Sequence, residues 1–520
     1  MEFNHQSRTR NILKTSFTAG ICRVSNILLG MAYRMVFLRY LSVEYLGING
    51  LFSNILGVLA LAELGFSSAI NYRLYKPIRM EDCVRVGRLM HFYRKVYSGV
   101  AFSIVLLGLL LIPFLTFFIK DSGEIPEDIN VYFIFILFVL QSSTSYLFSF
   151  KFALLVADQR QYQLSFVRMI SSIVCVSMQI VVLVLWKKYI FTLVVGILFH
   201  LLFNMLASFW VTRKYPKVFS VKSNISKEEE KAIYHDTAAA LLHRVGGVVI
   251  NSTDSILITK FVGLAATGLY MNYAAVLSSV NNLVNIFWGS FNASLGNAHV
   301  SLDSKKRFDV FRKSLFLNFW IVGLITACLF VLADDFITLW LGSQFKMDSL
   351  TVCLLCVMFF IEGVRHVSTS YTNVSGLFVR DKPRPVIEAS LNLLISIVGL
   401  KWIGIAGVFL GTIASTLLTV FWREPYLLYR YVFEKSMIKY WIEYAKYVAI
   451  TGSAAFLAIH VKYSLFGNSV SIFSWLISAL ITIVLFEGLH ILVYMRNDYF
   501  RQYFKMIKMQ LDRKSMREQI

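Results

Sequence analysis

Apolar residues run along this chain in fourteen stretches, each bounded by a short polar break. A helix needs about 20 apolar residues to cross a bilayer. By that measure the pattern predicts helices over 16–38, 47–71, 96–119, 130–150, 164–186, 189–211, 237–259, 264–289, 314–333, 350–372, 386–401, 403–422, 446–461 and 471–494. The fold class that follows is an all-α polytopic membrane protein of about 14 transmembrane helices.

Composition agrees. With 57% of its 520 residues apolar, 16% charged and a mean hydropathy of +0.63, the chain lies outside soluble usage. The formal charge of +21 would suggest nucleic acid in a soluble protein, but here the placement of the cations decides its meaning. One side of the spans collects Arg73, Lys76, Arg79, Arg85 and Arg88, then Arg213, Lys214, Lys217 and Lys222, then Lys305, Lys306 and Arg307, then Arg423, Arg430 and Lys435. The acidic loop with Asp121, Glu124, Glu127 and Asp128 falls on the other side. The positive-inside rule then puts both termini in the cytoplasm. Topology and contact with anionic lipid headgroups account for most of the excess, so no nucleic-acid partner is expected.

The basic N-terminus, Met1 to Lys14, leads into a long first span expected to be retained. At the other end Phe500, Phe504, Ile507 and Leu511 recur at helical spacing between Arg501, Lys505, Lys508 and Arg513, a pattern for a helix on the inner leaflet. Six cysteines, mostly within apolar runs, indicate neither a disulfide framework nor a zinc site, and Cys353 and Cys356 read as small buried hydrophobes. No metal or organic cofactor is expected.

The chain resembles itself at nearly one offset. A shift of 221 lays Cys22, Arg23 and Val24 on His243, Arg244 and Val245, and Gly47 on Gly268. A shift of 225 lays Ser143, Thr144, Ser145 and Tyr146 on Ser368, Thr369, Ser370 and Tyr371. A duplicated six-helix unit leaves such a trace. The organisation it predicts is an N-lobe over 1–211, a cytoplasmic linker over 212–236, a C-lobe over 237–422, two further helices within 446–494, and the basic amphipathic tail 495–520. Repeats of six helices are parallel, and a substrate site between two such bundles lies near the midplane.

Ionisable groups at membrane depth are functional candidates because each costs several kcal/mol without a partner or water. On the first helix Arg23, Gly30 and Arg34 share about 40° of arc, with Asn26 beside them. Asn49, Ser53, Ala60, Glu63, Ser67 and Asn71 share a face of the second, and Asp236, His243, Gly247, Asn251 and Asp254 a face of the seventh, with Arg244 at its margin. The eighth adds Asn281 and Asn285, and the tenth Glu362, Arg365 and His366. Guanidinium groups present forks of donors that match phosphate oxygens. Arg23, Arg34, Arg244 and Arg365 therefore suggest an anionic, phosphate-bearing substrate, while Glu63, Asp254 and Glu362 could serve H+ or Na+ coupling or be counter-charges. Asn26, Asn49, Asn251, Asn281 and Asn285 are candidate sugar contacts. Mutual neutralisation of these charges is the competing reading. No phosphate loop, GxSxG or HExxH motif occurs, and the longest break, near 212–236, is too short for a nucleotide domain, so no enzyme activity is expected.

The stretch from Tyr45 through Leu46, Gly47, Ile48, Asn49, Gly50, Leu51, Phe52 and Ser53, with Leu61, Ala62, Glu63, Leu64, Gly65 and Phe66 and then Leu74, Tyr75, Lys76 and Pro77, resembles the second-helix motif of Wzx-type polysaccharide flippases. These belong to the multidrug/oligosaccharidyl-lipid/polysaccharide exporter superfamily. The resemblance implies a MATE-like fold of two six-helix bundles plus two C-terminal helices. It implies transfer of an undecaprenyl-pyrophosphate-linked oligosaccharide from the inner to the outer leaflet of the bacterial cytoplasmic membrane. Polymerase and export machinery are the partners it suggests. By similarity to lipid II flippases, Arg23, Arg244 and, less directly, Arg34 would receive the pyrophosphate, while the second-helix arginine of those proteins has no counterpart here, where Glu63 is the charged group of that helix. A MATE-type cation-coupled drug exporter is the alternative.

Overall fold

Polar breaks in the sequence become helix caps in the computed structural model, which describes residues 8–60, 66–121, 124–301, 303–381 and 383–505. Within them the side chains of 8–17, 67–69, 236, 238–247, 249–251, 290–301 and 378–379 are not described. Asp82 accepts from the Arg85 amide, Asn130 from those of Tyr132 and Phe133, Ser226 from Glu229, Asp303 from Lys306 and Asp348 from Thr351. Each such cap satisfies orphan donors of a first turn and fixes where a helix begins.

The helices in chain order are α1 (Arg8–Tyr40), α2 (Val43–Leu59), α3 (Phe66–Arg79), α4 (Cys83–Leu111), α5 (Val131–Ala157), α6 (Gln161–Trp186), α7 (Tyr189–Lys214), α8 (Pro216–Phe219), α9 (Lys227–Phe261) and α10 (Leu264–Ser301). Then follow α11 (Ser304–Trp340), α12 (Ser349–Val364), α13 (His366–Val374), α14 (Arg384–Ile403), α15 (Ile405–Leu418), α16 (Val420–Leu428), α17 (Ile438–Phe466) and α18 (Ile472–Tyr494). The described residues of the predicted apolar stretches fall mainly on this helical path, and no strand occurs among the described residues. Eleven helical segments among those residues are long and apolar enough to cross a membrane.

Three predicted helices are interrupted. On the span expected over 47–71, α2 ends at Leu59 and α3, whose sequence is amphipathic and carries Pro77, begins at Phe66, with 61–65 outside the described residues. The span over 350–372 is divided at Arg365, and that over 403–422 breaks at Thr419, with φ −118° and ψ −90°. Buried polar side chains sit at both of the later breaks, where a broken helix inside a membrane protein is tolerated.

The chain forms two compact units, Met1–Met271 and Asn272–Ile520. In the first, α9 and the opening turns of α10 pack with α2. A Cβ on Gly47 would lie 2.1 Å from the Leu264 carbonyl oxygen, and one on Gly268 2.2 Å from that of Val43. Backbones this close need small residues. That contact explains why the unit extends past the 212–236 linker expected to separate the duplicated halves.

In the second unit α14 and α15 cross at Gly399 and Gly407, where an added Cβ on Gly407 would lie 2.0 Å from the Gly399 carbonyl carbon. Helix α11 is packed by α12, α17 and α18. Phe319 stacks on Tyr447 at 4.9 Å, and the Trp320 indole donates to Glu487 at 2.9 Å. The last two helices are thus packing elements of this unit. Phe500 of the tail is buried against Trp320 and His490, while Phe504 is exposed; Ile507 and Leu511 lie outside the described residues.

Candidate functional site

Helix α2 places Asn49, Ser53 and Gly57 at intervals of four on one face, and that face lines a cavity of about 490 Å³ inside the N-terminal unit. Tyr33 from α1, Gln141, Ser142, Ser145 and Tyr146 from α5, Gln179 from α6, and Tyr189 and His200 from α7 complete its polar wall. A Ser/Thr-rich run survives within apolar α5 because its hydroxyls bond the preceding turn: Ser143 and Thr144 to the Leu140 carbonyl, Ser145 to that of Ser142 at 2.7 Å. Their lone pairs remain as acceptors.

Other groups are held by the frame. Ser53 donates to Asn49 Oδ1 at 3.4 Å, and Gln179 donates to the Thr192 carbonyl at 3.1 Å beside Gly196, whose missing Cβ makes room for the amide. The Tyr189 ring is 2% exposed and its hydroxyl has no hydrogen-bond partner among the described residues. A buried hydroxyl left unbonded carries a desolvation cost. Amides, hydroxyls and tyrosines line this space, and His200 is the single titratable group beside the tyrosines in its described lining. Such a wall suits a neutral ligand rich in hydroxyl groups, because amides and hydroxyls both donate and accept.

The expected site residues divide. Asn49 is in the cavity wall. Arg23, Asn26 and Gly30 are exposed along α1, and nothing lies within 4 Å of where a Cβ on Gly30 would be. One turn on, half-buried Arg34 donates from Nη1 to the Met271 carbonyl. Asp254 is 4% exposed on α9. Glu63 lies outside the described residues, as do the side chains of Arg244 and Asn251.

The remaining candidates are in the C-terminal unit. Asn281 accepts from Asn285 at 3.5 Å, one turn along α10. Glu362 is exposed on α12, but Arg365 joins an ion network: its Nη2 lies 3.2 Å from Glu424, which also accepts from Thr369 at 3.0 Å. Arg384 bridges Asp381 and Glu388 at 2.5 and 2.7 Å, and Arg423 meets Asp381 at 2.6 Å. Sequence reading had not singled out Glu388 or Glu424 as candidates. Their signal was charge within or beside predicted spans, but the partners stand up to 59 positions apart. Gln141 and Gln179 carry no charge and His200 stands alone on an apolar helix, so none was among the expected site residues; the run 143–146 served the sequence reading as a mark of duplication.

Comparison with other proteins bears on the same features. The chain aligns in structure with the lipid II flippase MurJ in an inward closed conformation at a TM-score of 0.67, with 14% identity, covering 92% of this chain and 99% of that one. An inward-facing multidrug resistance MATE family transporter gives 0.61 at 13% identity, covering 76% and 94%. The Vibrio cholerae MATE transporter VcmN gives 0.53 at 14%, covering 80% and 96%. At such identities these likenesses establish the fold. No curated protein sequence matches the chain. The family described as polysaccharide biosynthesis protein matches residues 12–291, more than half the chain and the whole of the cavity wall. The chain therefore belongs to the polysaccharide biosynthesis protein family, as a multi-pass helical membrane protein of the Wzx flippase type.

Proposed function

We propose that this protein carries undecaprenyl-pyrophosphate-linked oligosaccharide from the inner to the outer leaflet of the bacterial cytoplasmic membrane by alternating access. The observation that carries this reading is the cavity of amides, hydroxyls and tyrosines in the N-terminal unit, whose described lining holds no carboxylate. A sugar chain presents hydroxyls in many directions, and a wall of groups that both donate and accept can hold it without charge.

In this scheme Arg23, Arg34 and Arg244 receive the pyrophosphate, Asn49 and its neighbours the sugars, and the lipid tail stays in the bilayer. Asn26, Asn251, Asn281 and Asn285 are further sugar contacts. Arg365 would reach a phosphate only by leaving Glu424, so the reading rests on the other three arginines. Glu63, Asp254 and Glu362 are the groups proposed to couple H+ or Na+, with buried Asp254 the first to examine. No bond is made or broken. The distribution of cations supports cytoplasmic termini, and polymerase and export machinery would consume the delivered product.

The test is complementation of a flippase-null strain with wild type, Arg23→Ala and Arg244→Ala at equal membrane levels, with lipid-linked oligosaccharide assayed. Wild type is expected to restore polymer while both variants accumulate the intermediate. Normal polymer from both variants would make those arginines structural and overturn the assignment.

A further inference from the structure

A second cavity, of about 410 Å³, opens where α4, α5, α7 and the segment after α7 meet, at the end of the N-terminal unit that carries its loop cations. Gly87, His91 and Arg94 recur on one face of α4 and line it, joined by Lys151 of α5 and by Lys222. Its described lining contains no Asp or Glu, and among the described residues Arg94, Lys151 and Lys222 form no ion pair.

The neighbouring cations of α4 behave differently. Arg85 pairs with Glu229 of α9 at 3.5 Å, while Arg88 donates to Ser223 at 3.2 Å and Lys95 to Asn224 at 2.8 Å, so the last two bind the connecting segment to the helix. Close approach at Gly87, where a Cβ would lie 2.6 Å from the Val218 carbonyl oxygen, fixes the same segment from below. The cavity is therefore built in advance of any ligand. Lys151 is held in place by Thr212, 2.8 Å from its ammonium, and by the Phe219 ring at 5.5 Å. One of its three donors is used.

Gathering like charges in a partly enclosed space is unfavourable unless an anion joins them. Leu147, with 44% of its surface exposed, and Phe148 add apolar wall beside the cations. A ligand that satisfies both features has a phosphate head and a hydrocarbon body. We propose that this cavity binds the phosphate headgroup of an anionic membrane lipid, at a site separate from the one proposed for the oligosaccharide. Free phosphate shares the head chemistry but gains nothing from the apolar wall.

The full chain in detergent, examined by native mass spectrometry with dioleoyl phosphatidylglycerol, dioleoyl phosphatidylcholine or inorganic phosphate, separates these cases. Wild type is expected to retain one more phosphatidylglycerol than phosphatidylcholine. Each cation near a lipid headgroup is worth about fivefold in affinity, so Arg94→Gln/Lys222→Gln should weaken phosphatidylglycerol about 25-fold, and Lys151→Gln about fivefold. Arg94 and Lys222 are exposed, which leaves the double variant folded even if Lys151→Gln is not. Lys439→Gln, an exposed cation of the other unit, should change nothing. Equal phosphatidylglycerol binding by wild type and the double variant overturns the proposal, as does equal retention of the two lipids. Displacement of phosphatidylglycerol by millimolar inorganic phosphate, with the same dependence on the variants, overturns the assignment to lipid.

Discussion

The N-terminal cavity and the C-terminal ion network treat polarity inside a membrane protein in opposite ways. In the network, Asp381, Glu388 and Glu424 are each under 7% exposed, and every one meets an arginine within 3.2 Å. In the cavity nearly all groups are neutral, several bond only to their own helix, and the Tyr189 hydroxyl bonds to nothing described. A buried charge must be answered within the protein, because leaving it alone costs several kcal/mol. A neutral hydroxyl or amide costs less and can wait for a ligand. The difference separates groups that hold a unit together from groups available to a substrate.

The sharpest way to break this comparison is to remove one partner from the network. Glu424→Ala leaves the Arg365 guanidinium buried without its carboxylate and should destabilise the protein by about 3–5 kcal/mol, read as a lowered midpoint of thermal or denaturant unfolding in detergent. Adding Arg365→Met should recover most of that loss, since no charge is then stranded. A smaller effect is expected from packing. Gly407→Ala forces a Cβ onto the Gly399 backbone and should cost about 2 kcal/mol, whereas Gly30→Ala, with open space around it, should be neutral or gain up to about 1 kcal/mol from helix propensity. Smallest of all is Tyr189→Phe, which deletes a buried hydroxyl with no partner among the described residues and should leave stability unchanged or raise it by about 1 kcal/mol in the same unfolding measurement. A large loss of stability there would mean the hydroxyl is structural.

The two regions were not equally legible in the sequence. Hydropathy located the long apolar helices, because that signal is local, but not the amphipathic α3 as a separate helix nor the short α8. Asn49 was legible for the same reason: it stands on a polar stripe of one helix. Gln141, Gln179 and His200 each lie singly or in a short run on an otherwise apolar helix, so only the packing of α2, α5, α6 and α7 reveals that they share a wall. Arg365 was visible as a charge at depth, but its role was not. Glu424 stands 59 positions away on a helix that begins only because α15 breaks at Thr419. That break depends on tertiary satisfaction of polar groups, which no window of sequence reports.

The most direct measurement is flipping by the purified protein in liposomes, using an undecaprenyl-pyrophosphate oligosaccharide and the same lipid pyrophosphate bearing no sugar. If the neutral cavity holds the glycan, Asn49→Leu/Gln141→Leu should slow the glycan-bearing lipid about tenfold, leave unfolding stability within about 1 kcal/mol, and spare the sugar-free lipid. Equal transport of the glycan-bearing lipid by wild type and the double variant would contradict the account.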